Sequence, residues 1–403
     1  MKILMLPDFY PPFIGGVQIA VQSLSRELSK RGHKIIVGTM GRRDLPNYEE
    51  DEGVRIYRLE GLFQKISFLF KNPAKKQPPP ARDWLISQRL AEIIKRERPD
   101  IIHTHGWLLY SALPCKRQFK IPLVHTLHDY RLFCPNATLL KDNAMCDSPG
   151  LKSCLPCMRQ SLGWLKGLAT YWGVMVNRKG LESVDRFIAI SAIVKETYQK
   201  YMGMRGEEIL LIPNFHSTDI SKAEQGVSGF PDDFILFAGW MMPHKGIDIL
   251  IEAYQTLNTK TKLLILGIEH PDYLYRSTER ICIIKNAPHD LVMAAMSRCR
   301  FLVIPSICPD TAPLVTREAM SQGKAVIGSN IGGIKEAVVD GTTGILVPPN
   351  NSEKLAEAIF YLLERPDIAS EMGRKGYERF RENYTADVVI PRILQVYENL
   401  LRG

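Results

Sequence analysis

Residues 301–328, FLVIPSICPDTAPLVTREAMSQGKAVIG, decide the fold. Phe301–Pro305 is an apolar run of strand length. Leu314–Gln322 carries a helical pattern, opened by Pro313 where a missing N–H costs nothing, and Ala325–Gly328 is a second apolar run. Strand, helix and strand in such close succession read as a crossover between parallel strands. The segment between the first strand and the helix then lies at the carboxyl edge of the sheet, where open α/β sheets take their ligands. Asp310 sits in that loop and Glu318 in the first helical turns, so the two carboxylates can address opposite ends of one ligand. The backbone amides of Leu314 and Val315 lie between them, placed for a phosphate.

The same alternation extends in both directions. Phe234–Ala238, Leu263–Leu266 and Arg280–Ile284 read as strands, with Ile247–Leu257 and Asp290–Ser297 as helices; Glu353–Leu363, Ile368–Glu382 and Val388–Leu401 read as helices closing the chain. The first half repeats the theme: strands at Lys2–Leu6, Lys34–Thr39, Asp100–Thr104, Leu123–Leu127 and Arg186–Ile190, and helices after Gly15-Gly16 and over Trp84–Lys95. The fold class is therefore α/β, with two doubly wound Rossmann-like domains expected to face each other across a cleft. The expected boundaries are 1–212 (with an insert at about 134–180) and 213–385, with a last helix, 386–403, packing back on the first domain. The polar stretch Asp219–Asp233 reads as the linker.

A chain of 403 residues suits two domains. Residues 1–200 hold 31 Lys+Arg against 18 Asp+Glu, and residues 201–403 hold 21 against 25. The +13 of the first half attracts phosphorylated substrates, anionic head groups or nucleic acid through one and the same long-range field. No run of 18 or more uncharged apolar residues occurs, and Asp8 and Pro11 interrupt the start before a signal-peptide core forms; four of the eight cysteines fall within 24 residues, unlike a secreted disulfide framework, so a cytoplasmic location is expected, with peripheral contact at the inner membrane face open. Two segments bear on that contact. Residues 62–82 join an apolar start to a Lys- and Pro-rich end. Residues 158–179 mix Trp, Tyr and Leu with basic residues, and fit an interfacial amphipathic helix as well as a helix buried beside the cysteines.

Further residues with chemistry lie just after strands. Gly15 and Gly16 let backbone approach a ligand at a helix start. His103 and His105 close one strand and His128-Asp129 another; such a histidine holds a proton, a phosphate or a sugar hydroxyl, or is a hydrogen-bonded core residue. The loop Gly239-Trp240-Met241-Met242-Pro243-His244-Lys245-Gly246 places an ammonium where a diphosphate would lie. Four cysteines, Cys134, Cys146, Cys154 and Cys157, fall within 24 residues, the last two as CxxC. They offer the thiolates of a tetrahedral structural zinc, with disulfides or free buried thiols as alternatives.

Taken in order, the GGV loop at Gly15, HTH at His103, HDY at His128, IPNF ahead of His216, GWMMPHKG, PDTAPLVTREA and GGIKEAVVDGTTGILVPP resemble the retaining glycosyltransferases of family 4 with the GT-B fold. The resemblance covers nearly the whole chain. It implies transfer of a sugar from a UDP- or GDP-linked donor to a glycan or lipid-linked hydroxyl acceptor, with retention and without a cofactor for transfer. It implies that the first domain takes the acceptor and the second the nucleotide. Lys245 would neutralise the diphosphate, Glu318 accept the ribose hydroxyls, Asp310 stand near the transferred sugar, and Leu314 and Val315 donate amides. Gly15 and Gly16 would approach the donor, His128 the sugar or acceptor, and Asn214 and Gly239 border the site. Trp240 stands where the family has an arginine, and Asp310 is one methylene shorter than the family's glutamate. A nonhydrolysing sugar-nucleotide epimerase shares the fold. A zinc-bearing nucleic-acid-binding protein would explain the basic half, but leaves Lys245, Asp310 and Glu318 without a role, so no nucleic-acid partner is expected.

Overall fold

Two parallel sheets organise the chain, one in each of two units. The computed structural model describes all residues except 14, 43, 66–76, 142–143, 217–228, 271–272 and 403. The first unit comprises Met1–Lys141, Cys146–Pro213 and Val389–Gly403, and the second Asp142–Met145 and Asn214–Val388. The expected linker lies mostly outside the described residues, as does the middle of the 62–82 segment. Pro213 and Asn214 fall on either side of the division.

In the first unit, β1 (Lys2–Leu6), β2 (Lys34–Met40), β3 (Tyr48–Asp51), β4 (Val54–Leu59), β5 (Ile101–Thr104), β6 (Leu123–Leu127), β7 (Arg186–Ala189) and β8 (Ile209–Leu211) form one sheet in the order β8-β7-β6-β5-β1-β2-β4-β3. All neighbours are parallel except β3 and β4, an antiparallel hairpin turned by Glu52 and Gly53, both at positive φ. The strand order reverses at β1, which is paired to β2 on one side and β5 on the other. Ile3, Leu4, Met5, Ile36 and Ile102 are fully buried there, each contributing about 1.5–3 kcal/mol of hydrophobic stabilisation. Helices α1 (Gly16–Lys30), α2 (Trp84–Glu97), α3 (Leu108–Phe119), α4 (Leu151–Leu162), α5 (Trp164–Asn177) and α6 (Ala192–Met202) complete the unit's main helices. Asp83 caps α2 through Oδ1, which accepts from the amides of Leu85 and Ile86 at 3.0 and 3.2 Å.

The second unit's sheet runs β11-β10-β9-β12-β13-β14, with β9 (Phe234–Trp240), β10 (Lys262–Ile268), β11 (Ile281–Lys285), β12 (Leu302–Ile304), β13 (Val326–Ser329) and β14 (Gly344–Val347), all parallel. Alternate residues enter separate cores. Ile235, Phe237 and Ile265 pack with α7 (Ile247–Gln255) and α11 (Ser352–Glu364), while Phe234, Leu236 and Leu264 pack with α8 (His289–Arg298) and α9 (Leu314–Ser321). A sheet covered on both faces explains why these strands read as continuous apolar runs. The switch point lies between β9 and β12, so the loops after these two strands are the unit's natural binding edge.

After α10 (Ile334–Ala337) and α12 (Pro366–Asn383), the last helix, α13 (Ala386–Arg402), belongs to the first unit from Val389 on. Within that unit the Tyr397 hydroxyl meets His103 Nδ1 at 2.6 Å, and Arg392 Nη2 donates to the Leu211 carbonyl at 2.6 Å. Among the described residues no helix is long and apolar enough to cross a membrane.

Candidate active site

At the switch point of the second sheet, the loop after β9 and the loop after β12 are in contact. The Ile307 amide donates to the His244 carbonyl at 3.0 Å. Gly246 lies so close to Pro305 that an added Cβ would stand 1.8 Å from the Pro305 carbonyl oxygen, and its φ of 73° also calls for glycine. Lys245 is thereby held against the second loop, where its ammonium pairs with Asp310 Oδ1. Asp310 has two further partners: Oδ2 accepts from Ser306 Oγ at 2.6 Å, and the Cys308 thiol donates to Oδ1 at 3.4 Å. The Gly333 amide donates to the Asp310 carbonyl at 2.6 Å, which draws the Gly332-Gly333 turn into the same loop cluster.

Burial opposes both charges of this pair, and each partner outweighs it. Asp310 is held below the ordinary carboxylate value by Lys245, Ser306 and Cys308, and Lys245 above the ordinary ammonium value by Asp310. His244 is pushed down to about 4 by burial and the Lys245 charge, so it is neutral at pH 7. Trp240 ends β9 in register with Ile268 and is half-buried.

Glu318 lies within α9 and is buried. Its Oε1 meets His289 Nε2 at 2.9 Å. The hydrogen bond that His289 donates to Glu318 raises His289 above its ordinary value. For Glu318 burial works upward, but the His289 hydrogen bond and the His289 and His216 charges bring the carboxyl below its ordinary value, so it is ionised at neutral pH. Pro313 stands at the start of α9 and no side chain caps Leu314 or Val315. The loop after β9 thus supplies a cation, and α9 supplies an uncapped start and an ionised carboxylate. The sequence pattern identifies these three but not Ser306, which stands four residues before Asp310 in the same loop, nor His216 and His289, which reach the site only through the fold.

In the first unit the carboxyl edges of β1, β5 and β6 gather Asp8, His105 and His128. His128 Nε2 meets His105 Nδ1 at 3.0 Å, and the His105 ring lies 4.1 Å from that of His103. His103 is engaged at both nitrogens, by Tyr397 and by Thr126 Oγ1 at 2.7 Å, which is the core-histidine arrangement. Burial pushes His128 down to about 4, with the Asp129 charge opposing and that of Arg131 assisting. Arg131, absent from the sequence-based set, spans Asp8 Oδ2 at 2.5 Å and Asp129 Oδ2 at 2.7 Å. Its guanidinium stands 5.7 Å from the Trp107 ring centre. Gly15 precedes α1 in an extended conformation, and Gly16 opens a helix whose start no side chain caps.

Cys134, Cys146, Cys154 and Cys157 all line one small cavity of about 20 Å³. None of the four is in a disulfide. Burial pushes Cys134 up to about 11, and Asn136 Nδ2 donates to Cys157 Sγ at 2.8 Å. Among the described residues no three His, Cys, Asp or Glu side chains are arranged to hold a metal ion. The expected zinc site is therefore present as a gathering of thiols, not as a formed ligand set.

The Glycosyltransferase Family 4 profile matches residues 14–220, half of the chain, and the Glycosyl transferases group 1 profile matches residues 222–379. The chain is a family 4 glycosyltransferase. A glycosyltransferase of Methanocaldococcus jannaschii is 27% identical to it, over 99% of both chains. A glycogen synthase of Mycobacterium tuberculosis is 26% identical over 100% of this chain and 96% of the relative. Among solved structures, sucrose-phosphate synthase of Thermosynechococcus elongatus superposes with a TM-score of 0.75 at 21% identity over 100% of both chains. HepE of Anabaena, solved with UDP and glucose, gives 0.70 at 18% over 99% of this chain and 100% of its own. These likenesses establish the GT-B fold of this glycosyltransferase: two Rossmann-like units of parallel sheet.

Proposed function

We propose that this glycosyltransferase moves a hexosyl group, with retention of anomeric configuration, from a UDP- or GDP-linked sugar to a hydroxyl acceptor in glycan, polysaccharide or glycolipid synthesis. The observations that carry the reading are Lys245 paired to Asp310 across the two switch-point loops, the uncapped start of α9 and ionised Glu318 in the same helix. An ammonium and free amides match a diphosphate, and a buried carboxylate that only accepts hydrogen bonds matches a ribose diol. As the bond between the anomeric carbon and the diphosphate oxygen breaks, charge grows on the oxygen that Lys245 and the amides of Leu314 and Val315 face. Asp310 acts through Lys245 as its positioning residue. The UDP seen in HepE supports a uridine donor. In the first unit, His128 is a neutral hydrogen-bonding group for the sugar or acceptor.

Thermal shift against UDP, GDP and ADP, followed by NMR of the product's anomeric proton with a UDP- or GDP-sugar, tests this. Stabilisation by UDP or GDP and a product of the donor's own configuration are expected; an inverted product overturns retention. Donor turnover without any acceptor would favour the epimerase.

A structural zinc at Cys134, Cys146, Cys154 and Cys157 is a separate proposal, supported by their common cavity. It requires the thiols to close on the ion as they lose their protons. Protein purified without chelator should carry close to one equivalent of zinc. Metal-free protein with four titratable thiols overturns it.

A further inference from the structure

Helix α5 has two apolar faces. Gly167, Thr170, Tyr171 and Val174 face inward, where Tyr171 joins Cys154 and Met158 in a small core beside the cysteines. Leu165, Leu168, Trp172 and Val176, spaced three and four residues apart on the opposite face, are 87, 37, 52 and 68% exposed. Trp164, at the turn from α4, is 57% exposed. One side of the helix is thus core beside the cysteines, and the other is a tryptophan-bearing stripe in water. Asn177 Nδ2 anchors the end of the helix to the Pro80 carbonyl at 3.1 Å, so the stripe belongs to an ordered element.

The segment that carries the stripe is of one sign. Residues 151–179 contain five basic residues, Lys152, Arg159, Lys166, Arg178 and Lys179, and no Asp or Glu. Lys152 and Lys179 are exposed, and Arg159 lies over the Trp164 ring at 5.7 Å. An apolar stripe with Trp at its level and Lys and Arg around it is the pattern of a helix lying in a bilayer interface. A second copy of the chain is the poorer occupant, because a two-fold contact through this stripe would set one cationic rim against another.

We propose that the outer face of α5 docks this protein on an anionic bilayer surface, with Leu165, Leu168, Trp172 and Val176 entering the head-group boundary and the basic rim meeting lipid phosphates. This goes beyond the transferase reading and does not depend on it. The test is co-sedimentation of the full chain with vesicles of phosphatidylcholine alone and with added phosphatidylglycerol. The phosphatidylglycerol vesicles should bind it, and raising the salt should weaken binding, since exposed charges are screened beyond about 10 Å at 0.1 M. The double variant Leu165→Ser, Val176→Ser should partition at least tenfold more weakly. Lys152→Gln with Lys179→Gln should lose about tenfold or more at low salt, roughly fivefold per basic residue. All substituted side chains are exposed, so circular dichroism and nucleotide binding should match the parent. Absence of binding to phosphatidylglycerol vesicles at low salt, or equal binding by parent and variants, overturns the proposal. So does a concentration-dependent dimer that the same substitutions dissolve without any vesicle binding.

Discussion

Lys245, Asp310 and Ser306 form a chain in which each group fixes the next. Lys245→Ala should weaken nucleoside diphosphate binding about 10- to 100-fold, the range of a charge-assisted hydrogen bond, and leave nucleoside binding nearly unchanged. Glu318→Ala should weaken both; isothermal titration separates the two patterns. Asp310→Asn should keep the ammonium but loosen its placement, lowering kcat more than affinity. His128 is a different case. With its titration moved to about 4, its charge does not change between pH 5.5 and 8, so His128→Gln should reduce kcat without moving any inflection of the pH–rate profile in that range. The loss of such an inflection would show that His128 titrates during turnover. Lys245, Asp310 and Glu318 are legible in the sequence because one strand–loop–helix segment and its neighbouring loop carry them. His289 is not, because it meets Glu318 from a helix 29 residues earlier, with no spacing rule between them.

At the scale of elements, the apolar runs mark most of the buried parallel strands within a residue or two, but the short β8 and β14 go unread. The hairpin of β3 and β4 escapes that reading. Tyr48–Asp51 is an edge strand with a polar sequence, so no apolar run announces it, and the only signal is the Glu52-Gly53 turn. The loop after β9 is legible as a glycine loop, but the reason for its last glycine is tertiary. Gly246→Ala should cost at least about 1–3 kcal/mol and lower the Tm of the second unit, because the Cβ meets the Pro305 carbonyl and the φ is unfavourable. The displaced Lys245 should also lose affinity for diphosphate. Unchanged Tm and affinity would mean that the two loops can separate without consequence.

Over the whole molecule, the four histidines at the carboxyl edge of the first sheet make that unit acid-sensitive. His125 and His128 are pushed down to about 3 and 4 by burial, and His103 and His105 are also well below their ordinary value. The unfolded chain therefore takes up protons near pH 6.5 that the folded unit refuses. Stability falls as the pH drops from about 6.5 towards 4, by about 3 kcal/mol for His128 alone. Urea unfolding monitored at pH 7.5 and 5 should show the loss in the first unit; equal midpoints would contradict it. Tyr397→Phe should leave His103 Nδ1 without its partner and cost the same unit about 1–3 kcal/mol. That contact also bears on the order in which the protein is made. Tyr397 lies beyond the last residue of the second unit, and the first unit includes the chain from Val389 on. On the ribosome, the unit begun first is the one completed last. Residues 214–388 can close their sheet while the opening unit still lacks its final helix.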